Sequence, residues 1–385
     1  MHRQPAVNAP DARTRGRAEE RKLRHNGELH QVPLGCVACR ERSVCGGLAV
    51  QASVWNCLSL CCMKPQNCDR VCRNNPDFAN RVHETGGFSL MTLPPRPVLA
   101  APTLPMVIPE VFHNGARQRA FAPPMASISL YRMFDRRTGN PRFQSHADLC
   151  SRFSIAEGTP IVLTGIQRDR PLERWWELGK EKRRNIIRSA YDCGVVLATV
   201  PNYSLFLDRP RWDDLHAIMR IALIYQEFLE TGMPAALHVN GRTEMDFRRW
   251  AQFIAAHPEV THLSYEFTTG TGRPERRRQH AAWLCGLAST VGRPLHLLVR
   301  GGVEVVPELC SSFAGVTFLE TTTFLKTMMR FRAVKGPTIF WWPSPTAVGQ
   351  PLDDLYEGNW EVVRGWLSEL VRRSSQTCVP ESAIA

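Results

Sequence analysis

From about residue 125 onward, short apolar runs alternate with longer stretches of helical period, and this rhythm limits the chain to very few architectures. The runs are 127–131, 160–164, 195–200, 235–239, 261–267, 295–299, 316–319 and 338–342. They are nearly continuous in apolar character, as strands are when helices cover both faces of a parallel sheet. The stretches between them space their apolar residues three and four apart, as in Trp212, Leu215, Ile218, Met219, Ala222, Tyr225 and Phe228, with Gly232 as the expected stop. Thr243 with Asp246 three residues on has the form of a capping box opening the next helix, and a last helix is expected over 360–371. Strand–helix alternation predicts a parallel sheet with outer helices. About eight repeats in roughly 250 residues match an eight-stranded barrel. The expected fold is therefore α/β, a parallel (β/α) barrel-like domain over 125–385. An open doubly wound α/β sheet is the alternative.

Ahead of that domain the composition changes twice. Eight of the 13 cysteines lie between Cys36 and Cys72, after an arginine-rich, apolar-poor arm over 1–32. The cysteine segment spans 33–92 and is followed over 93–124 by a proline-rich connector, which reads as an extended, semi-rigid chain or a wrap over the next domain. The arm is polar with no apolar region after it, so no export signal is expected and the cysteines are read in a reducing cytoplasm, where such a cluster holds metal rather than disulfides. Cys36-x2-Cys39-x5-Cys45 converges two thiolates across a tight turn and returns a third; Cys57, Cys61, Cys62, Cys68 and Cys72 follow. Thiolates select zinc or an iron–sulfur cluster. Both one four-cysteine [4Fe–4S] cluster and two zinc sites sharing eight thiolates satisfy the spacing, and either would be a structural staple for a module too small to have its own core.

The x2–x5 spacing resembles part of the cluster loop of iron–sulfur DNA glycosylases, whose leading cysteine has no counterpart here. Two longer strings carry further resemblances. Trp55-Asn56-Cys57-Leu58-Ser59-Leu60-Cys61-Cys62, with Cys68-Asp69-Arg70-Val71-Cys72 and Asn75-Pro76-Asp77-Phe78, is similar to uncharacterised bacterial proteins of plasmids and mobile elements. Val200-Pro201-Asn202-Tyr203-Ser204-Leu205-Phe206-Leu207-Asp208-Arg209-Pro210, with Gly301-Gly302 later, is similar to a bacterial and phage domain family of unknown function, which usually shows Asp where this chain has Asn202. The resemblance implies the fold more than an activity.

Barrel active sites sit at the C-terminal ends of the strands, and polar residues collect there. Glu266 and Glu320 are candidates for a general acid/base pair, with His238 and Asp208 as further catalytic candidates. Asn202, Asn240, Arg242, Arg300 and the backbone of Gly301-Gly302 are candidates to bind a phosphate or substrate. Lys plus Arg exceeds Asp plus Glu by 48 to 36, a formal +12 that attracts polyanions. Arg273, Arg276, Arg277 and Arg278 lie on the same barrel face and are candidates for nucleic-acid phosphates. Trp175-Trp176 and Trp341-Trp342 are candidates for base stacking. No dinucleotide fingerprint, phosphate loop, His-Glu-x-x-His or Gly-x-Ser-x-Gly motif occurs, and no run of apolar residues is long enough for a membrane span. These features point to a cytoplasmic, nucleic-acid-associated metalloprotein, a TIM-barrel enzyme acting on a nucleotide or nucleic acid, DNA or RNA. A non-catalytic protein that binds nucleic acid or a partner encoded nearby, in a mobile-element or defence system, and a small-molecule metabolic enzyme are the alternatives.

Overall fold

The computed structural model describes residues 77–113, 115–205, 211–268 and 274–377. Eight parallel strands pair in one ring: β1 (Val107–Pro109), β2 (Ala126–Ser129), β3 (Ile161–Thr164), β4 (Val195–Thr199), β5 (Ala235–His238), β6 (His262–Glu266), β7 (His296–Arg300) and β8 (Gly315–Glu320). Strand β1 pairs with β8, Ile108 opposite Leu319. The ring closes on the other side of β1 through a parallel bridge between Glu110 and Ser127 and the bond from Val111 N to Ser127 O at 2.8 Å. An open sheet would have left β1 and β2 as edges, so the fold is a (β/α)8 barrel.

Helices fill the connections as the periodicity predicts. They are α1 (Asp77–Thr85), α2 (His146–Phe153), α3 (Asp169–Glu177), α4 (Gly179–Asp192), α5 (Arg211–Glu230), α6 (Glu244–Ala256), α7 (Pro274–Val291), α8 (Val306–Ser312), α9 (Thr322–Met328) and α10 (Asp353–Thr377). Helix α6 opens with the capping box, Thr243 and Asp246 satisfying each other's backbone N–H groups. Helix α10 extends beyond the expected 360–371 at both ends, and Trp360, Val363 and Leu367 are buried on it.

Two expectations from the rhythm are corrected. The barrel does not begin at 125: its first strand lies inside the proline-rich connector, where Pro102, Pro105 and Pro109 flank three apolar residues too few to show a period. The run 338–342 is not a barrel strand. It becomes β10 (Ile339–Pro343), paired antiparallel with β9 (Phe331–Lys335) in a hairpin between α9 and α10. Residues 88–105 form a strap, the wrap over the barrel that the proline-rich composition allows. Gln226 donates to the Pro94 carbonyl at 2.6 Å, Arg96 N donates to Glu259 at 3.0 Å, and Leu104 packs onto the apolar floor of the barrel.

Alternation along the strands sorts side chains between two spaces. Residues such as Ile128, Leu163, Leu237, Tyr265, Val299 and Phe318 pack outward against the helices. Ile108, Val162, Leu197, Ala236, Leu298 and Leu319 form a separate cluster, the barrel lumen. Two residues further along each strand, at the C-terminal mouth, the inward positions become polar: Glu110, Thr164, Thr199, His238, Glu266 and Arg300. An apolar floor under a polar mouth is what a barrel needs to position chemistry at one end only.

The wall of this mouth is tight at Gly165. Its N–H donates to Thr199 Oγ1 at 2.9 Å, its carbonyl accepts from Tyr131 at 2.8 Å, and a Cβ there would lie 2.4 Å from the Thr199 carbonyl oxygen. Gly165→Ala is expected to destabilise the fold by about 1–3 kcal/mol, because backbone on a neighbouring strand must move. Urea unfolding of the variant measures this.

Candidate active site at the barrel mouth

The centre of the mouth is a set of buried charges from three strands. Glu110, just past β1, is 3% exposed; Glu266 ends β6 and Arg300 ends β7 in register with it. Arg300 Nη1 stands 4.0 Å from Glu110 Oε2, and its Nε stands 3.6 Å from Glu266 Oε2. One guanidinium thus lies between two carboxyl groups while remaining open to the mouth, its side chain 24% exposed.

The carboxyls are not equivalent. Glu266 Oε1 accepts from the backbone N of Thr268 at 2.8 Å and from the Thr268 hydroxyl, so its loop holds it. Glu320 accepts from the backbone N–H groups of Thr322 at 2.7 Å and Thr323 at 3.0 Å; by alternation it points away from the lumen. It caps the start of α9, whereas Glu266 occupies an inward position, so the two carboxyls of the expected acid/base pair lie on opposite sides of the strand ring. Glu110 stands on the other side of Arg300 from Glu266. Its Oε1 accepts from Thr164 Oγ1 at 3.1 Å, and its buried Oε2 has no hydrogen-bond partner. Burial raises its pKa, Arg300 and the Thr164 bond offset part of that, and the charge of Glu320 raises it again. Burial likewise raises Glu320, against the bonds from Thr323 and Thr322. A carboxyl whose pKa is raised by burial, with one oxygen accepting no hydrogen bond, is the kind of group that can give or take a proton in a reaction.

The other expected residues divide by position. His238 is at the mouth but deep, 2% exposed, with Nδ1 3.3 Å from Ser264 Oγ; burial pushes its pKa down to about 3, so it is a neutral imidazole. Asn202 accepts from Gln167 N at 3.0 Å, and Asn240 donates to the Tyr203 carbonyl at 2.8 Å. Both amides join neighbouring strand-end loops to one another. Arg242 N donates to Asp246 at 2.7 Å, within the α6 cap. Gly301 and Gly302 both take positive φ, and a Cβ on either would strike Thr268 or Phe267 at 2.6 Å or less. The pair answers a steric demand where β7 turns past β6. Arg277 pairs with Glu304, and Arg278 is exposed on α7 with Arg276 partly so. Asp208, Arg273 and all eight clustered cysteines (Cys36, Cys39, Cys45, Cys57, Cys61, Cys62, Cys68 and Cys72) lie outside the described residues. Among the described residues no three His, Cys, Asp or Glu side chains converge in a way that could hold a metal ion.

Glu110 is the residue that sequence reasoning passed over. Its only signal was a carboxylate directly after Val107-Ile108-Pro109, within a stretch whose prolines argued for extended connector.

Neither a protein-family model nor a curated protein matches the chain. Among solved structures it is similar to the tryptophan synthase alpha chain of Legionella pneumophila subsp. pneumophila, at 11% identity and a TM-score of 0.33, over 78% of this chain and 98% of that one. The class the chain defines rests on its own strand pairing and site: a (β/α)8 barrel with a carboxyl–guanidinium cluster at its C-terminal mouth. No helix among the described residues is long and apolar enough to cross a membrane.

Proposed function

We propose that the chain is a barrel enzyme in which Glu110 transfers a proton and Arg300 binds an anionic group of the substrate, a nucleotide or nucleic acid. The observation that carries this reading is the buried Glu110 carboxyl, held by Thr164 on one oxygen and accepting no hydrogen bond on the other, which stands 4.0 Å from the partly exposed guanidinium of Arg300. Buried polar atoms without partners are rare and call for a reason; a substrate atom delivered to Oε2 would supply one. Arg300 offers a fork that matches phosphate or carboxylate oxygens, and the formal charge of +12 favours a polyanion as its source. Glu266 would then orient Arg300, and neutral His238 would serve as a donor or acceptor deeper in the mouth. The test is to incubate the full chain with nucleoside mono-, di- and triphosphates and with single- and double-stranded oligonucleotides, following products by mass spectrometry. Product formation by the wild type that is lost in Glu110→Gln supports the assignment. Undiminished product formation by that variant overturns it.

The reading includes a metal module. The eight cysteines between Cys36 and Cys72 would hold an iron–sulfur cluster or zinc as a structural element, carrying no step of the chemistry. Protein purified without oxygen is expected to contain iron and sulfide with visible absorption, or one to two zinc ions without colour. Elemental analysis separates the two, and metal-free folded protein would end the proposal.

A further inference from the structure

The hairpin of β9 and β10 is an insertion the barrel does not need, and its two faces differ. On the inner face Ala333 is buried, and Asn359 of α10 accepts from Ala333 N at 2.7 Å and donates to the Phe331 carbonyl at 2.8 Å, fixing the hairpin to the barrel wall. The outer face carries Phe340 at 51% exposure and Trp342 at 62%. Directly across the ladder, Val334 stands opposite Phe340 and Arg332 opposite Trp342. Large aromatic side chains held rigidly in water mark an interaction surface.

Charge says of what kind. From Thr321 to Leu352 there is no acidic residue, while Lys326, Arg330, Arg332 and Lys335 all lie in that span. Lys335 is engaged by Glu369 at 2.7 Å and Arg330 donates to Thr346 at 2.8 Å, but the exposed Arg332 guanidinium makes no ion pair or hydrogen bond among the described residues. Phe340 and Trp342 are two residues apart on one strand face, about 6.8 Å along the strand. The acid-free, basic span beside the two exposed rings complements a polyanion, and aromatic faces next to cationic side chains are the pairing that single-stranded nucleic acid uses.

We propose that the outer face of this hairpin is a stacking platform for single-stranded nucleic acid, with Trp342 and Phe340 offering their rings to bases and Arg332 contacting an adjoining phosphate. The ligand class rests on the nucleic-acid reading above, but the platform is separate from the mouth, so binding and turnover can fail independently. The experiment is fluorescence anisotropy of a labelled oligothymidylate with the full chain, against the same strand paired to oligoadenylate. Trp342→Ala and Phe340→Ala are each expected to weaken single-strand binding by about 10-fold or more. Arg332→Ala is expected to reduce the salt dependence of binding. Because these side chains are exposed, the thermal unfolding of the variants should match the wild type. If the wild type binds the single strand and both aromatic variants bind equally well, the platform is overturned while the nucleic-acid reading stands. A wild type that binds no oligonucleotide overturns both, and loss of self-association in Trp342→Ala without any oligonucleotide binding assigns the face to a second copy instead.

Discussion

Glu110→Gln is expected to cut turnover by about 10²- to 10⁴-fold, and at the same time to make the protein harder to unfold as pH rises. Glutamine keeps the shape of the protonated acid and the bond from Thr164, but it can neither release nor accept the proton. The stability effect follows from the direction of the pKa. In the unfolded chain Glu110 ionises near its ordinary value of about 4.3. In the fold its burial, together with the charge of Glu320, outweighs Arg300 and the Thr164 bond and holds the proton to higher pH. Between those two values the folded state binds more protons than the unfolded state, so stability falls as pH rises. The contribution is fully present below the unfolded value and is lost as pH passes through the folded one. Wild type and variant should therefore unfold at similar urea concentrations in acid and separate as pH rises, the variant becoming the more stable. Glu320, also raised by burial, leaves a residual slope in both proteins. Urea titrations across a pH series measure this without knowledge of the substrate, and parallel curves would refute a Glu110 carboxyl whose pKa burial raises in the fold.

The second large effect is expected at Arg183, on the outer face. Its guanidinium makes a two-pronged ion pair with Glu227, Nε to Oε2 at 2.7 Å and Nη2 to Oε1 at 2.6 Å, tying α4 to α5 with side chains only 5% and 6% exposed. The same group donates to the Trp176 carbonyl at 2.7 Å and lies 4.7 Å from that ring's centre. Arg183→Met strands Glu227 as an uncompensated buried charge and should cost about 3–5 kcal/mol, whereas the double replacement Arg183→Met with Glu227→Leu removes both charges and should recover most of it. Denaturant unfolding of the two variants decides the matter: a double variant as unstable as the single one would mean that packing, not charge, sets the cost. In the sequence Arg183 stands in the run Lys180-Glu181-Lys182-Arg183-Arg184, which looks like any solvated helix face.

That contrast shows where local pattern stops being informative. The barrel was legible because period-two and period-3.6 patterning reports on burial, and burial is what most of the chain's fold depends on. The strands from β2 to β8 lie on expected runs, and the Thr243–Asp246 cap formed as read, since its partners are three residues apart. Strand β1 was not legible: three residues carry no period, and their strand character comes from pairing with β8, more than 200 residues along the chain. The hairpin strand at 338–342 misled for the complementary reason. Its apolar residues suit a half-exposed ladder as well as a buried one, and only the placement of α10 leaves its outer face in water.

The site divides the same way. Polar residues at strand ends could be read from position, so Glu266, Arg300 and His238 were found. Which carboxyl is spent on a helix start and which keeps a free oxygen depends on loop geometry, and that separates Glu320 from Glu110. Residue order thus specifies where each strand, helix and cap will form, because those depend on neighbours a few positions away. The closing of the ring on β1, the meeting of Glu110 with Arg300 and the exposure of Trp342 come only with the assembled fold, because electrostatics and burial act through distances in space and not along the chain.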